Sequence, residues 1–246
     1  MSLSCVRHRR RVASVPARHF SSSGAVHGAL QSKIRELMRE TAQPVAVVTA
    51  IMPSQDADHI PPAYHGATLS SFTSIAMDPH PLIAFALRLP SRMSTALKAA
   101  DSTHEGSHMV VNLLSAAQQS VARKFARPDL YHEPFASTRF RLNVDGIPIL
   151  DGSLGALTCR LVAASVPLYD AKFLKTLGLG APPKAVVPQL EQGVISELFI
   201  AEVLSVEAST ALYEGQDDLQ TLPLLYHRQS FTTILPPPTP LNPDDH

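Results

Sequence analysis

Hydroxyl side chains are concentrated in residues 66–74, which contain five Ser or Thr residues and one Phe. A segment this polar, set between apolar segments, needs hydrogen-bond partners for its hydroxyls. The β-branched and aromatic composition of residues 67–76 predicts one strand, whose alternation would place one set of side chains on a single face: Thr68, Ser70, Phe72 and Ser74. A flat heterocycle with carbonyl and N–H edges would satisfy these hydroxyls, and water along an edge strand would do so equally well.

A second polar cluster, Ser91-Arg92-Met93-Ser94-Thr95, lies at the predicted start of a helix. Unpaired backbone N–H groups, the positive end of the helix dipole, three hydroxyls and one guanidinium would meet there. This combination suits a phosphate group, and an ordinary helix cap by Ser91 is the alternative. A ring-binding segment and a phosphate site about twenty residues apart together suggest FMN as the ligand.

The string His104-Glu105-Gly106-Ser107-His108 matches the H-E-x-x-H pattern of zinc peptidases. Zinc binding by this pattern requires both histidines on one helical turn. Gly106 and Ser107 interrupt the pattern, and a β-branched run follows His108 directly, so we predict a turn between a helix and a strand. A zinc hydrolase remains an alternative that bound metal would support. The sequence also lacks a P-loop, a dinucleotide-binding glycine motif and a nucleophile elbow.

Apolar periodicity predicts six or more strands with only two or three short helices between them. Because strands follow one another without a helix after each, we expect a mainly β, Greek-key-like antiparallel barrel and not a doubly wound parallel sheet. Residues 168–193, rich in Gly and Pro, are predicted to be an inserted loop. The Pro-rich residues 235–246 are predicted to be a disordered tail.

The composition limits the possible partners of this 246-residue chain. Apolar residues make up 45% of it, without the run of eighteen that a membrane span requires. Residues 1–24 contain five of the 21 Lys and Arg residues and no acid, which leaves 16 basic residues against 21 acidic ones, a charge near −5. A mildly acidic body argues against nucleic-acid binding.

The first 24 residues have the Arg, Ser and Ala content, without acids, that is typical of a mitochondrial transit peptide. The string Arg18-His19-Phe20-Ser21 resembles a mitochondrial processing site, and a disordered basic tail is the alternative. We therefore predict a matrix location. Cys159 lies in an alternating apolar segment, and we expect a buried structural thiol there.

The order and spacing of several segments resemble the flavin reductase-like family of FMN-binding split barrels. The resemblance covers residues 30–155 well and the remainder loosely. It is carried by residues 44–49, 65–75, 78–83, 91–97, 110–114 and 146–152, together with Gln118, Phe125 and Ala126.

The resemblance implies a homodimeric split barrel over residues 28–234 that binds FMN, or less often FAD, near the dimer interface. It further implies NAD(P)H as co-substrate and a partner monooxygenase that receives the reduced flavin. No metal and no catalytic side chain are implied. The flavin contacts carried over are Thr68, Ser70, Ser71, Phe72 and Ser74 for the ring, and Ser91, Arg92, Ser94 and Thr95 for the phosphate.

One position departs from the family pattern. Family reductases commonly have a histidine three residues before the Phe of a late strand, and Ser196 stands at that place, before Phe199. The inserted loop precedes it. The departure keeps two alternatives open beside an NAD(P)H-dependent flavin reductase: a non-catalytic flavin-holding protein, and an FMN-dependent oxidase or oxygenase on the same barrel.

Overall fold

A computed structural model describes residues 22–53, 63–103, 106–163, 165–168, 174–175, 195–208 and 219–234. The chain divides into two compact units, Met1–Glu40 and Thr41–His246. Residues 1–21, most of the predicted inserted loop and the predicted tail lie outside the described residues. Within the described part, no helix is both long enough and apolar enough to cross a membrane.

The described part of the first unit is helix α1, Ser22–Arg39. It begins inside residues 1–24, the segment interpreted as a transit peptide. Four large apolar residues of the helix recur at helical spacing and are exposed: Leu30, Ile34, Leu37 and Met38.

The second unit is mainly β. Its strands are β1 Gln43–Pro44, β2 Ala46–Ile51, β3 Tyr64–Leu69, β4 Thr73–Ala76, β5 Leu82–Leu89, β6 Met109–Leu113, β7 Phe140–Leu142, β8 Pro148–Leu150, β9 Gly155–Leu161, β10 Val166–Pro167, β11 Ile195–Ala208, β12 Leu225–His227 and β13 Ser230–Thr232. Its α-helices are α2 Arg92–Thr103 and α3 Gln119–Ala126, and short 3₁₀ turns span Ala116–Gln118 and Pro134–Ser137.

The main sheet has the order β3-β2-β6-β9-β11-β5-β4, and β10 pairs with β11. Every pairing in it is antiparallel. β3 and β4 stand at opposite ends of this order, yet only residues 70–72 join them in the chain. A link this short reaches at most about 14 Å, so the sheet must curl until its two ends meet. The predicted antiparallel barrel class is confirmed.

Two apolar layers cover the two faces of the curled sheet. Inside, alternate residues of β2 (Ala46, Val48, Ala50) pack with Met93 and Leu97 of α2. Outside, the intervening Val45 and Val47 pack with Ala122 and Phe125 of α3. Gly66 of β3 lies directly beneath the Phe125 ring, and a Cβ there would overlap that ring. The two helices therefore hold β3 from opposite sides.

The prediction of one strand over residues 67–76 was wrong. β3 ends at Leu69 and β4 begins at Thr73, because the chain must pass from one end of the sheet to the other at this point. The alternation that would place Thr68, Ser70, Phe72 and Ser74 on one face is therefore interrupted. We call residues 70–72 the seam link.

Candidate functional site

The seam link is fastened to β5 by a side chain. Ser71 Oγ accepts a hydrogen bond from the N–H of Ala86 at 3.0 Å and donates one to the Ala86 carbonyl at 3.1 Å. One hydroxyl thus takes the place of the two backbone groups that a strand residue would use. Ser71, predicted as a flavin contact, has a structural function here.

The remaining hydroxyls of the predicted ring-binding segment separate into two groups. Thr68 Oγ1 donates to the carbonyl of Ala122 in α3 at 2.7 Å, on the outer face of the sheet. Phe72 packs against the inner core, so Thr68 and Phe72 do not face one ligand together. Ser70 and Ser74 are exposed. Ser71 and Thr73 are exposed as well, but their hydroxyls are engaged in hydrogen bonds. The exposed hydroxyls that make no hydrogen bond with a described residue are therefore those of Ser70 and Ser74.

The predicted cap of α2 is confirmed. Ser91 Oγ accepts the Ser94 N–H at 3.2 Å, and Thr95 Oγ1 donates to the Ser91 carbonyl at 3.3 Å. Arg92 is exposed, and its guanidinium makes no ion pair with any residue that the structure describes. The first turn of α2 therefore combines helix-start N–H groups with an available cation, which is an arrangement suited to phosphate.

Ser94, predicted as a phosphate contact, points away from this surface. It is 2% exposed, because the third position of α2 faces the sheet. Its Oγ donates to Oε2 of Glu197 at 2.9 Å. The hydroxyl is therefore occupied inside the protein, and only the exposed members of the cluster, Arg92 and Thr95, together with half-buried Ser91, remain for a ligand.

Glu197 of β11 was missed by the sequence analysis. It is 7% exposed, and its Oε1 lies 2.7 Å from Nζ of Lys98, one turn further along α2. The sequence does contain a signal for a buried carboxylate at this position. Glu197, Phe199 and Ala201 alternate along β11, and the last two belong to the inner core, so Glu197 faces inward. A buried carboxylate needs charged or hydrogen-bonded partners, and α2 provides both.

His65 of β3 was also missed as a neighbour of this turn. It belongs to the same alternation as Ala67 and Leu69, which contact the inner core. Burial lowers the pKa of its imidazole, and the positive charge of Arg92 lowers it further, to about 4. At neutral pH the imidazole is therefore uncharged beside the Arg92 guanidinium.

Ser196, where the resemblance leads us to expect a histidine, lies opposite Arg88 of β5 in the β11 register. Its carbonyl accepts the N–H of Leu168 at 2.9 Å, so the described start of the inserted loop runs along β11. Strand alternation places the Ser196 side chain on the face opposite to Glu197.

The zinc-like string lies between the end of α2 and the start of β6, as predicted. His104 and Glu105 are outside the described residues, and His108 Nδ1 accepts the N–H of Leu161 at 3.1 Å. Among described residues, no group of three or more His, Cys, Asp or Glu could hold a metal ion. Cys159 is buried, and burial raises the pKa of its thiol to about 12, which confirms the prediction of a structural cysteine.

Comparisons with known proteins identify the family and the fold of the chain. The profile of the family described as "Flavin reductase like domain" matches residues 38–235. A NADH:FMN oxidoreductase of Rhodococcus qingshengii is 36% identical over 177 residues, which cover 72% of this chain and 69% of that protein. A flavin reductase of Pseudomonas putida is 34% identical over 96 residues, 39% of this chain and 51% of that protein. The chain thus spans about half the length of that relative.

Among solved structures, nitrilotriacetate monooxygenase component B from Mycobacterium thermoresistibile superposes with a TM-score of 0.60 at 21% identity, covering 89% of this chain and 96% of that one. The styrene monooxygenase flavin reductase of Pseudomonas putida S12 gives a TM-score of 0.56 at 22% identity and covers 82% and 97%. The curled antiparallel sheet therefore has the split-barrel fold of flavin reductases. The chain belongs to the flavin reductase-like domain family.

Proposed function

We propose that this protein is an NAD(P)H-dependent flavin reductase that uses FMN. The observation that carries the proposal is the capped first turn of α2, where an exposed Arg92 without an ion pair among the described residues stands beside helix-start N–H groups. The names of relatives, including an NADH:FMN oxidoreductase and an NADH-dependent FMN reductase of Agrobacterium fabrum, support the same reaction.

The residues of the turn fit the phosphate of FMN. Arg92 and Thr95 would contact it directly, and half-buried Ser91 would shape the turn. Ser70, Ser74 and the backbone of the seam link would contact the ring edge. The hydrogen bonds of Ser71, Thr68 and Ser94 fasten these segments to neighbouring elements. When bound, FMN supplies a two-electron acceptor for the hydride of NAD(P)H, and the protein orients the two molecules. FAD shares this phosphate group and is the alternative flavin.

Ser196 favours a second candidate, a flavin-holding protein without NAD(P)H turnover. A serine hydroxyl stands there where the family pattern has an imidazole, and the adjacent loop runs along the same strand. An FMN-dependent oxidase or oxygenase would share the flavin site and act on an organic substrate without a nicotinamide.

Assembly and partners belong to the same proposal. We infer a homodimer that passes reduced flavin to a partner monooxygenase. The names of two structural neighbours, a monooxygenase component and a monooxygenase flavin reductase, support the partner, and the homodimer rests on the family resemblance. We also propose a matrix location from the composition of residues 1–24. Import of the full chain into isolated mitochondria, with shortening near residue 20, would test that location.

Steady-state oxidation of NADH and NADPH, with added FMN, tests the activity. We expect FMN-dependent turnover in the wild type. The variant Arg92→Met should raise the KM for FMN about tenfold with little change in kcat, because it removes a charge-assisted contact to the phosphate. The matched control Arg139→Met removes an exposed arginine elsewhere and should leave the KM unchanged.

Three results would count against the proposal in different ways. Bound flavin without NAD(P)H oxidation would favour the flavin-holding protein. Turnover of an organic substrate without a nicotinamide would favour an oxidase. Failure of the protein to bind FMN would contradict the proposed flavin site itself.

A further inference from the structure

A buried carboxylate lies against the turn that we assign to the flavin phosphate. Glu197 receives the Ser94 hydroxyl at 2.9 Å, and the backbone N–H of Ser94 in turn donates to the cap residue Ser91 at 3.2 Å. Only one residue thus separates the carboxylate from the cap. An anion in this position experiences the same helix-start field that would attract the phosphate.

Lys98 is held by the same carboxylate. Its side chain extends back toward the start of α2, as helical side chains do, and its Nζ lies 2.7 Å from Oε1 of Glu197. The Lys98 side chain is 48% exposed, whereas that of Glu197 is 9% exposed. The lysine therefore reaches the surface near the turn, but its charge is balanced by a partner in the interior.

The charges around the turn can be counted among the described residues. Arg92 contributes one positive charge, Lys98 and Glu197 cancel each other, and His65 is neutral at pH 7. Glu197 is much less exposed than the surface carboxylates, so solvent screens its charge only in part. Its removal would leave two cations at the turn instead of one.

We propose that Glu197 sets how strongly the site prefers phosphorylated flavins over riboflavin, by opposing the phosphate and by holding Lys98 away from it. The inference rests on the proposed flavin site. It assigns to Glu197 a specificity-determining role without contact to the reacting atoms. Such a residue keeps FMN binding moderate, which suits a flavin that is exchanged with a partner.

Titration of FMN and of riboflavin by flavin fluorescence, without NAD(P)H, tests the inference. For Glu197→Gln we expect FMN affinity to rise about threefold to tenfold, because a like charge near the phosphate is lost. For Lys98→Gln we expect FMN affinity to fall by a similar factor. Riboflavin affinity should change less than about twofold in both variants, since riboflavin carries no phosphate.

The opposite signs separate this role from a structural one. Loss of packing or of a hydrogen bond would shift both flavins in the same direction, and would do so in both variants. Glu202→Gln is the matched control: it removes a carboxylate from the same strand, where Glu202 pairs with His80 and Arg160 on the opposite face. The ratio of its affinities for FMN and riboflavin should equal that of the wild type.

Two results would overturn the inference. If Glu197→Gln leaves the FMN-to-riboflavin ratio unchanged or lowers it, while the wild type prefers FMN, this inference alone fails. If the wild type binds both flavins equally or neither of them, the phosphate site of the proposed function fails as well.

Discussion

At the scale of residues, the hydroxyls of residues 66–74 divide by their hydrogen bonds. Thr68 and Ser71 bond to carbonyl and amide groups of neighbouring elements, whereas the Ser70 and Ser74 hydroxyls make no hydrogen bond with a described residue. All four residues lie in one polar segment, and the sequence alone does not show which of their hydroxyls are engaged in hydrogen bonds. Their partners lie 15 to 54 residues away in the chain, and only the closed barrel brings them together.

The variant Ser71→Ala should loosen the seam link. Two hydrogen bonds to Ala86 are lost, and we expect the free energy of unfolding to fall by about 1 kcal/mol, since each exposed bond contributes modestly. FMN affinity should also fall, because the backbone beside the ring becomes mobile. Denaturant unfolding and flavin titration measure the two effects.

Ser70→Ala is the control for that variant. Ser70 is exposed, and its hydroxyl makes no hydrogen bond with any residue that the structure describes, so the stability of this variant should match that of the wild type. Equal destabilisation by the two substitutions would contradict the role given to Ser71.

His65 should make stability depend on pH. In the unfolded chain the imidazole takes up a proton near its ordinary pKa of 6.5, whereas in the folded protein its pKa is lowered to about 4. As pH falls through this window, the unfolded state alone binds the proton, so the free energy of unfolding decreases from pH 6.5 to pH 4. The solvent exposure of the ring moderates the size of the effect.

Urea unfolding of His65→Asn across the same pH range checks this expectation. The free energy of unfolding of this variant should decrease less between pH 6.5 and pH 4 than that of the wild type. His132→Asn, a change of an exposed histidine, should keep it. If the free energy of unfolding of the wild type does not change between pH 6.5 and pH 4, the folded protein does not protect His65 from protonation.

At the scale of elements, the first turn of α2 caps the helix and, in the proposed function, also receives a phosphate. Ser91→Asp separates these two tasks. Aspartate caps helices as well as serine does, so stability should stay within about 0.5 kcal/mol of the wild type. The added negative charge should oppose the phosphate and weaken FMN binding at least tenfold.

Ser91→Ala provides the comparison. It removes the cap and should cost about 1 kcal/mol of stability, with a smaller loss of FMN affinity than the aspartate variant shows. Thermal unfolding and flavin titration of both variants give the test. If the aspartate variant binds FMN as tightly as the alanine variant, the phosphate does not lie at this turn.

Several elements were predictable because their signals are local. The β-branched run of β2, the cap of α2 and the alternation of β11 each depend on neighbouring residues in the chain. The break between β3 and β4 was not predictable in this way. Residues 70–72 have a strand-like composition, and they leave the ladder only because the sheet must close there.

At the scale of the whole molecule, closure of the sheet brings its two end strands together at the seam link. The main sheet has seven strands in its order, and the seam link joins the two end strands. Helix α2 and Phe72 of the seam link both pack against the inner core. Glu197 and His65 face this helix from two different strands. The alternation of β11 marks Glu197 as an inward acidic residue, but no local pattern pairs Glu197 or His65 with α2, because each is separated from α2 by many residues in the chain.

Anaerobic rapid mixing tests the central claim most directly. The protein with FMN is mixed with NADH or NADPH, and the loss of oxidised-flavin absorbance is followed in a single turnover. We predict stoichiometric bleaching of the flavin that saturates with NAD(P)H and is much faster than in buffer alone. Bound FMN that stays oxidised with both nicotinamides, at the rate of the protein-free control, would contradict the assignment as a flavin reductase.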